Sequence, residues 1–206
     1  MSLLGLLRTL KALLSRLKAE DQLSVEREEF RIHNVVATAN FDQSLDLNAI
    51  AVAFPEADYR PSVFPGLGFK LKKPKTCTLI FSSGKMVCTG AKSERQARKA
   101  ILTVARELRS TGIAITGKPE ITVQNMVASG TLGGPIDLDD LCERVEVGGR
   151  LIYEPEQFPA AIYRTGKGSV VFLIFSSGKA VCVGAKTEEE VREAVGNLRR
   201  VLVEGS

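Results

Sequence analysis

Residues 79–92 read LIFSSGKMVCTGAK, and residues 173–186 read LIFSSGKAVCVGAK. The two stretches differ only at Met86/Ala180 and Thr89/Val183, and they lie 94 residues apart. Self-similarity of this length marks an internal repeat and takes precedence over any local reading. The same separation carries Phe64-Pro65 onto Phe158-Pro159. Upstream, Asn34-Val35-Val36-Ala37 aligns with Asn125-Met126-Val127-Ala128 at a separation of 91, so the second copy has gained three residues between Leu45 and Phe158.

Each copy predicts one order of elements. A strand comes first (30–39; 120–129), then a short amphipathic helix (45–54; 136–145). Several strands follow, bounded by turn signals at Lys73-Pro74, Ser83-Gly84, Lys167-Gly168 and Ser177-Gly178. A longer helix closes each copy, with Ser93 or Thr187 as its N-cap and acidic residues in its first turn. Ala97, Ile101, Val104 and Leu108 recur at helical spacing along the first of these helices, and Gly112 punctuates its end. The expected fold class is α+β. Its parts are an N-terminal extension (1–27), a first repeat (28–116) and a second repeat (117–206).

Two such units can join edge to edge into one continuous antiparallel sheet about a pseudo-twofold axis. The strands are apolar on both faces: Leu79 and Phe81 alternate with Ile80, and Val87 alternates with Met86 and Cys88. Helices can cover only one face of that sheet. The uncovered apolar face implies a binding surface, or a second layer supplied by a homodimer.

Composition sets outer limits. With 206 residues, a net charge of +4 and ordinary apolar and charged fractions, the chain reads as a globular protein that permits an acidic partner. Cys77, Cys88, Cys142 and Cys182 lack the close pairing of a zinc site or a disulfide framework, so free thiols in small buried slots are expected. No apolar run reaches the roughly 20 residues of a membrane span. The Leu-rich start is broken by Arg8, Lys11 and Arg16, unlike a signal-peptide core. No phosphate-binding loop, dinucleotide fingerprint or metal-ligand cluster is present, and the single histidine, His33, has no nucleophilic signature around it. Neither catalysis nor a cofactor or metal is implied.

The repeated FSSGK-V-GAK block, the two Phe-Pro pairs and the two matched asparagines resemble the TATA-box-binding protein family over about residues 28–203. The resemblance implies a saddle whose continuous curved sheet carries its helices on the convex face and meets the DNA minor groove with the concave one. It implies a general transcription initiation factor that kinks promoter DNA at the TATA box and nucleates preinitiation-complex assembly. Phe64, Phe81, Phe158 and Phe175 would wedge between base steps beside Pro65 and Pro159. Unstacking would cost roughly a few kcal/mol per step, offset by the wider contact with bent DNA.

Asn34 and Asn125 would face the minor-groove edge, where A·T pairs present only acceptors. Val36, Val127, Leu79, Leu173, Val87 and Val181 would surround them with apolar contact, and Thr89 and Val183 belong to the same surface. Lys70, Arg164, Lys85, Lys179, Lys92 and Lys186 would contact phosphates, with Ser83 and Ser177 as further donors. Two departures from the family pattern stand out. Val183 replaces a threonine, which predicts a lost polar contact to the DNA edge, and Cys77 would place an oxidisable thiol on the DNA face.

Implied partners are A·T-rich double-stranded promoter DNA, transcription factor B docking at Glu154 and Glu156, and, indirectly, RNA polymerase. A protein-interaction paralogue without DNA binding is the rival, opposed by retention of all four Phe and both Asn. The lack of a long Gln- or Pro-rich N-terminal region favours an archaeal-type member, cytoplasmic and nucleoid-associated; a eukaryotic one would be nuclear. Within the extension, Leu3, Leu6, Leu7, Leu10, Leu13, Leu14 and Leu17 share one helical face, opposite Arg8, Lys11 and Lys18. That stripe is expected to dock on an unknown partner or another copy and so to leave DNA affinity nearly intact when deleted. Packing on its own domain and binding a membrane surface are the alternatives.

Overall fold

The computed structural model describes residues 30–144, 149–166 and 169–204. The expected N-terminal helix, the Lys167-Gly168 turn and the Val145 end of the second short helix lie outside those residues. The first repeat runs β1 (Arg31–Asn40), α1 (Leu47–Ala53), β2 (Gly66–Lys72), β3 (Lys75–Phe81), β4 (Lys85–Ala91) and α2 (Glu94–Ser110). The second runs β5 (Glu120–Thr131), α3 (Leu138–Arg144), β6 (Gly149–Ile152), β7 (Ala160–Thr165), β8 (Val171–Phe175), β9 (Lys179–Ala185) and α4 (Glu188–Glu204).

All nine strands form one antiparallel sheet in the order β2-β3-β4-β1-β5-β9-β8-β7-β6. The two copies meet at β1 and β5, where Asn34 lies opposite Val127 and Val36 opposite Asn125. Those two pairs exchange under the repeat, so the pseudo-twofold axis passes between them. One element breaks the symmetry. β6 pairs with β7 over four positions ending at Ile152↔Ile162, whereas the corresponding place in the first repeat holds only the isolated bridge Asp58↔Gly68.

Helix starts are built alike in both copies. Asp46 caps α1 by accepting from the amides of Asn48 and Ala49, and Asp137 does the same for Asp139 and Asp140 before α3. Ser93 Oγ accepts from Gln96 N while Gln96 Oε1 accepts from Lys92 N. Thr187 and Glu190 repeat that reciprocal arrangement ahead of α4. Past α2, Gly112 takes a φ of 85° and its amide bonds back to Arg109 O, ending the helix as its sequence position predicts.

The helices cover one face of the sheet. α2 packs on β1 to β4, and α4 on β5 and β9. Ala97, Ile101, Val104 and Leu108 join Val35, Ala37, Ile80, Met86 and Cys88 in the main core. Strand residues of the opposite parity, such as Asn34, Val36, Leu79 and Val87, point to the other face.

Candidate nucleic-acid interface

The centre of the helix-free face is set by two β-bulges. Pairing between β1 and β4 slips between Val35 and Ala37, and that between β5 and β9 slips between Met126 and Val127. At these slips Gly90 and Gly184 adopt φ of 94° and 103°, a region open to glycine and strained for other residues. A bulge frees an amide from the ladder, and an asparagine takes it up in each copy. Asn34 Oδ1 accepts from Gly90 N at 2.7 Å, and Asn125 Oδ1 accepts from Gly184 N at 2.8 Å. With the oxygen anchored, each amide keeps its Nδ2 donors for another partner. Paired donors of this kind suit a surface that presents acceptors alone.

Thr89, half-buried on the same face, also supports its neighbour. Its hydroxyl donates to Asn34 Oδ1 at 3.2 Å, so it holds the asparagine in place. Val183 offers no such bond, and among the described residues Asn125 is held by the Gly184 amide only. The replacement therefore removes an orienting contact to the asparagine as well as a hydroxyl from this face.

Polar pairs missed by sequence reasoning flank the asparagines. Gln124 Nε2 donates to Thr38 Oγ1 at 2.9 Å, and His33 Nε2 meets Ser129 Oγ at 2.8 Å. These are pseudo-twofold counterparts, because His33 and Gln124 are the extra residues at the two register shifts between β1 and β5. Their chemistry differs (His for Gln, Ser for Thr), which hid the relation from a search for identical residues.

At each end of the face stands an aromatic pair. Phe64 and Phe81 lie 5.9 Å apart between ring centroids, and Phe158 and Phe175 lie 6.5 Å apart. Both leading rings are delivered by one kind of turn. Arg60 O accepts from the amides of Val63 and Phe64, and Glu154 O from those of Gln157 and Phe158. The turn aligns Tyr59-Arg60-Pro61 with Tyr153-Glu154-Pro155. Equivalent positions thus carry opposite charge, Arg60 against Glu154.

Beneath the first pair, a Cβ on Gly66 would lie 2.7 Å from Phe64 Cε1, so only glycine lets that ring approach the strand so closely. Ala160 occupies the matching place under the second pair. Phe64 is 42% exposed, whereas Phe158 is 5% exposed.

Cations rim the face. Lys70, Lys85, Lys92, Arg164, Lys179 and Lys186 are exposed, as are Ser83, Ser177, Pro65 and Pro159. Lys70 and Arg164 sit in register opposite Cys77 and Val171 on the neighbouring strands. Val36, Leu79, Val87, Thr89, Phe81, Phe175 and Val183 are half-buried, and Val127, Leu173 and Val181 are buried. A groove of about 600 Å³ opens in the first half beside Phe81, Ser83, Lys85 and Val87, reaching Asn40 and Thr122. Glu154 and Glu156 are exposed on the turn before Phe158.

Cys77 does lie on this face, half-buried between Lys70 and Thr89. Burial pushes its thiol up, offset in part by the Lys70 ammonium. It is therefore mostly protonated near neutral pH and slow to oxidise. Burial also raises Cys88 and Cys142, and pushes Cys182 up to about 12.

A two-lobed continuous sheet with one helix-free apolar face, twofold-related amides and end aromatics, and a basic rim defines a protein of the saddle-shaped class. The family model for transcription factor TFIID (or TATA-binding protein, TBP) matches residues 29–111 and 120–204. A TATA-box-binding protein of Pyrobaculum calidifontis is 44% identical over 182 residues, 88% of this chain and 90% of that one. One from Sulfolobus acidocaldarius is 49% identical over 173 residues, 84% of this chain and 86% of that one. The solved Methanococcus jannaschii TBP superposes with a TM-score of 0.76 at 44% identity, covering 85% of this chain and 99% of that one. The chain belongs to the TATA-box-binding protein family.

Proposed function

We propose that the chain is a general transcription initiation factor that binds TATA-type promoter DNA through the helix-free face, kinks it from the minor groove and nucleates assembly of the initiation complex. The carrying observation is the twofold placement of Asn34 and Asn125, each held through its oxygen, which leaves its amide donors for an outside partner. A·T edges in the minor groove offer acceptors only, whereas a guanine amino group would meet these donors and the surrounding valines without a partner. Phe64, Phe81, Phe158 and Phe175 would insert at the two ends, and the basic rim would track the phosphates.

Fluorescence anisotropy on an A·T-rich and a G·C-rich duplex tests this. The A·T duplex should bind far more tightly, with log affinity falling linearly in log salt. Equal binding to both duplexes, or a flat salt response, refutes it.

Transcription factor B is the proposed protein partner, docking on the second-repeat turn. Support comes from the exposure of Glu154 and Glu156 and from the charge reversal against Arg60, which makes the two ends unlike. Replacing both glutamates by arginine should weaken the ternary complex in a gel shift by setting like charges together, and binary DNA affinity should hold or rise. Unchanged ternary assembly removes these residues from the partner site. The indirect link to RNA polymerase and a cytoplasmic, nucleoid-associated location are proposed with this reading.

A further inference from the structure

The two repeats differ on the helix-covered side of the sheet as well. α2 and α4 are counterparts 94 residues apart, each 17 residues long, and each turns one stripe to water. On α2 the stripe reads Arg95, Lys99, Leu102 and Arg106, and the same places on α4 hold Glu189, Glu193, Gly196 and Arg200. The spacing i, i+4, i+7, i+11 puts each set in one line along its helix. All eight residues are exposed. In its first two places one helix is therefore positive where the other is negative.

The third place has no explanation inside the chain. Leu102 is 50% exposed, although every other apolar residue of α2 is buried. Gly196 stands in mid-helix, where glycine costs about 1 kcal/mol relative to alanine. A Cβ on it would meet nothing within 4 Å, so no close packing in its own chain calls for a glycine. A protruding leucine and a bare backbone at equivalent places complement each other across two helices, because glycine admits a close approach.

We propose that α2 of one copy docks on α4 of a second copy, with Leu102 seated over Gly196, Arg95 beside Glu189 and Lys99 beside Glu193. The two helices run the same way. Glu189 pairs with Arg192 through one carboxylate oxygen and keeps the other for Arg95. Arg106 and Arg200 lie a turn beyond the leucine, where crossing helices diverge. Because α2 and α4 lie on the same side of the sheet, a back-to-back twofold dimer makes the contact twice, α2 to α4 and α4 to α2. Each helix is about 25 Å long and offers a strip about 10 Å wide, so the four strips bury roughly 1,000 Å². That area is at the lower limit of specific association and gives a weak, salt-sensitive dimer. Both helix-free faces stay open in it. The dimer does not depend on the function proposed above; with that function, one dimer holds two duplexes.

Sedimentation velocity on the full chain over a range of micromolar concentrations tests the proposal. A monomer–dimer equilibrium that weakens with salt is expected. Arg95→Glu with Lys99→Glu should weaken association at least about tenfold by setting like charges together, and Glu189→Lys with Glu193→Lys should do the same. An equimolar mixture of the two reversed proteins should dimerise again, since both of its contacts then pair opposite charges. Gly196→Leu should leave a monomer by filling the seat of Leu102. All these positions are exposed, so the circular dichroism and melting of each variant should match the parent chain. A parent chain that stays monomeric throughout overturns the proposal. A dimer that survives both reversals belongs to another surface and overturns it too, as does a mixture that fails to dimerise.

Discussion

The first and second repeats share a strand order, a capping scheme and a bulge with its asparagine, yet they present their apolar faces differently. In the first, the Phe64–Phe81 pair overhangs Gly66 and stays accessible; in the second, Phe158 is enclosed with Ile162, Leu173 and Val181. Duplication preserved the elements that shape the sheet. What diverged are the side chains that fill its surface: Gly66 to Ala160, Gly68 to Ile162, Thr89 to Val183 and Arg60 to Glu154. A near-symmetric scaffold therefore carries two unlike ends, and a symmetric scaffold alone could not choose a direction on DNA.

The strongest way to break this comparison is a matched pair of truncations. Phe158→Ala should lower stability by about 3 kcal/mol in chemical denaturation, because a buried ring leaves a cavity. Phe64→Ala should cost less than about 1 kcal/mol of stability, as expected for an exposed site. Equal penalties at Phe64 and Phe158 would show that the two ends are enclosed alike.

Much of this was legible in the sequence. The exact repeat of FSSGK and its valine, glycine and lysine positions exposed the duplication, and duplication with double-sided strands implied a single sheet with one bare face. Cap residues and Gly112 were read correctly because their effects are local. The polar pairs His33–Ser129 and Gln124–Thr38 were not legible, since they depend on register shifts between strands about ninety residues apart. The bond from Thr89 to Asn34 was not legible for a similar reason: the two are 55 positions apart, and no local pattern shows where a hydroxyl points. β6 was missed because residues 149–152 have no strand-forming twin in the first repeat.

A finer comparison concerns how firmly each asparagine is held. Val183→Thr should give Asn125 the second orienting bond that Asn34 has, raising affinity for an A·T-rich duplex by about 0.5–1 kcal/mol. Thr89→Val should lower it by a similar amount. Anisotropy titration of both variants checks the pair, and opposite signs are required. A loss from Val183→Thr would mean that the second half relies on apolar contact at this place.

On the proposed function, the bare face bends DNA by wedging its end aromatics. Energy transfer between dyes at the two ends of an A·T-rich duplex measures it most directly, at protein concentrations that saturate binding. The full chain should shorten the end-to-end distance, and Phe81→Ala and Phe175→Ala should each restore part of the length while weakening binding. A duplex that stays straight at saturation, or variants that lose affinity while the bend is unchanged, would contradict the account.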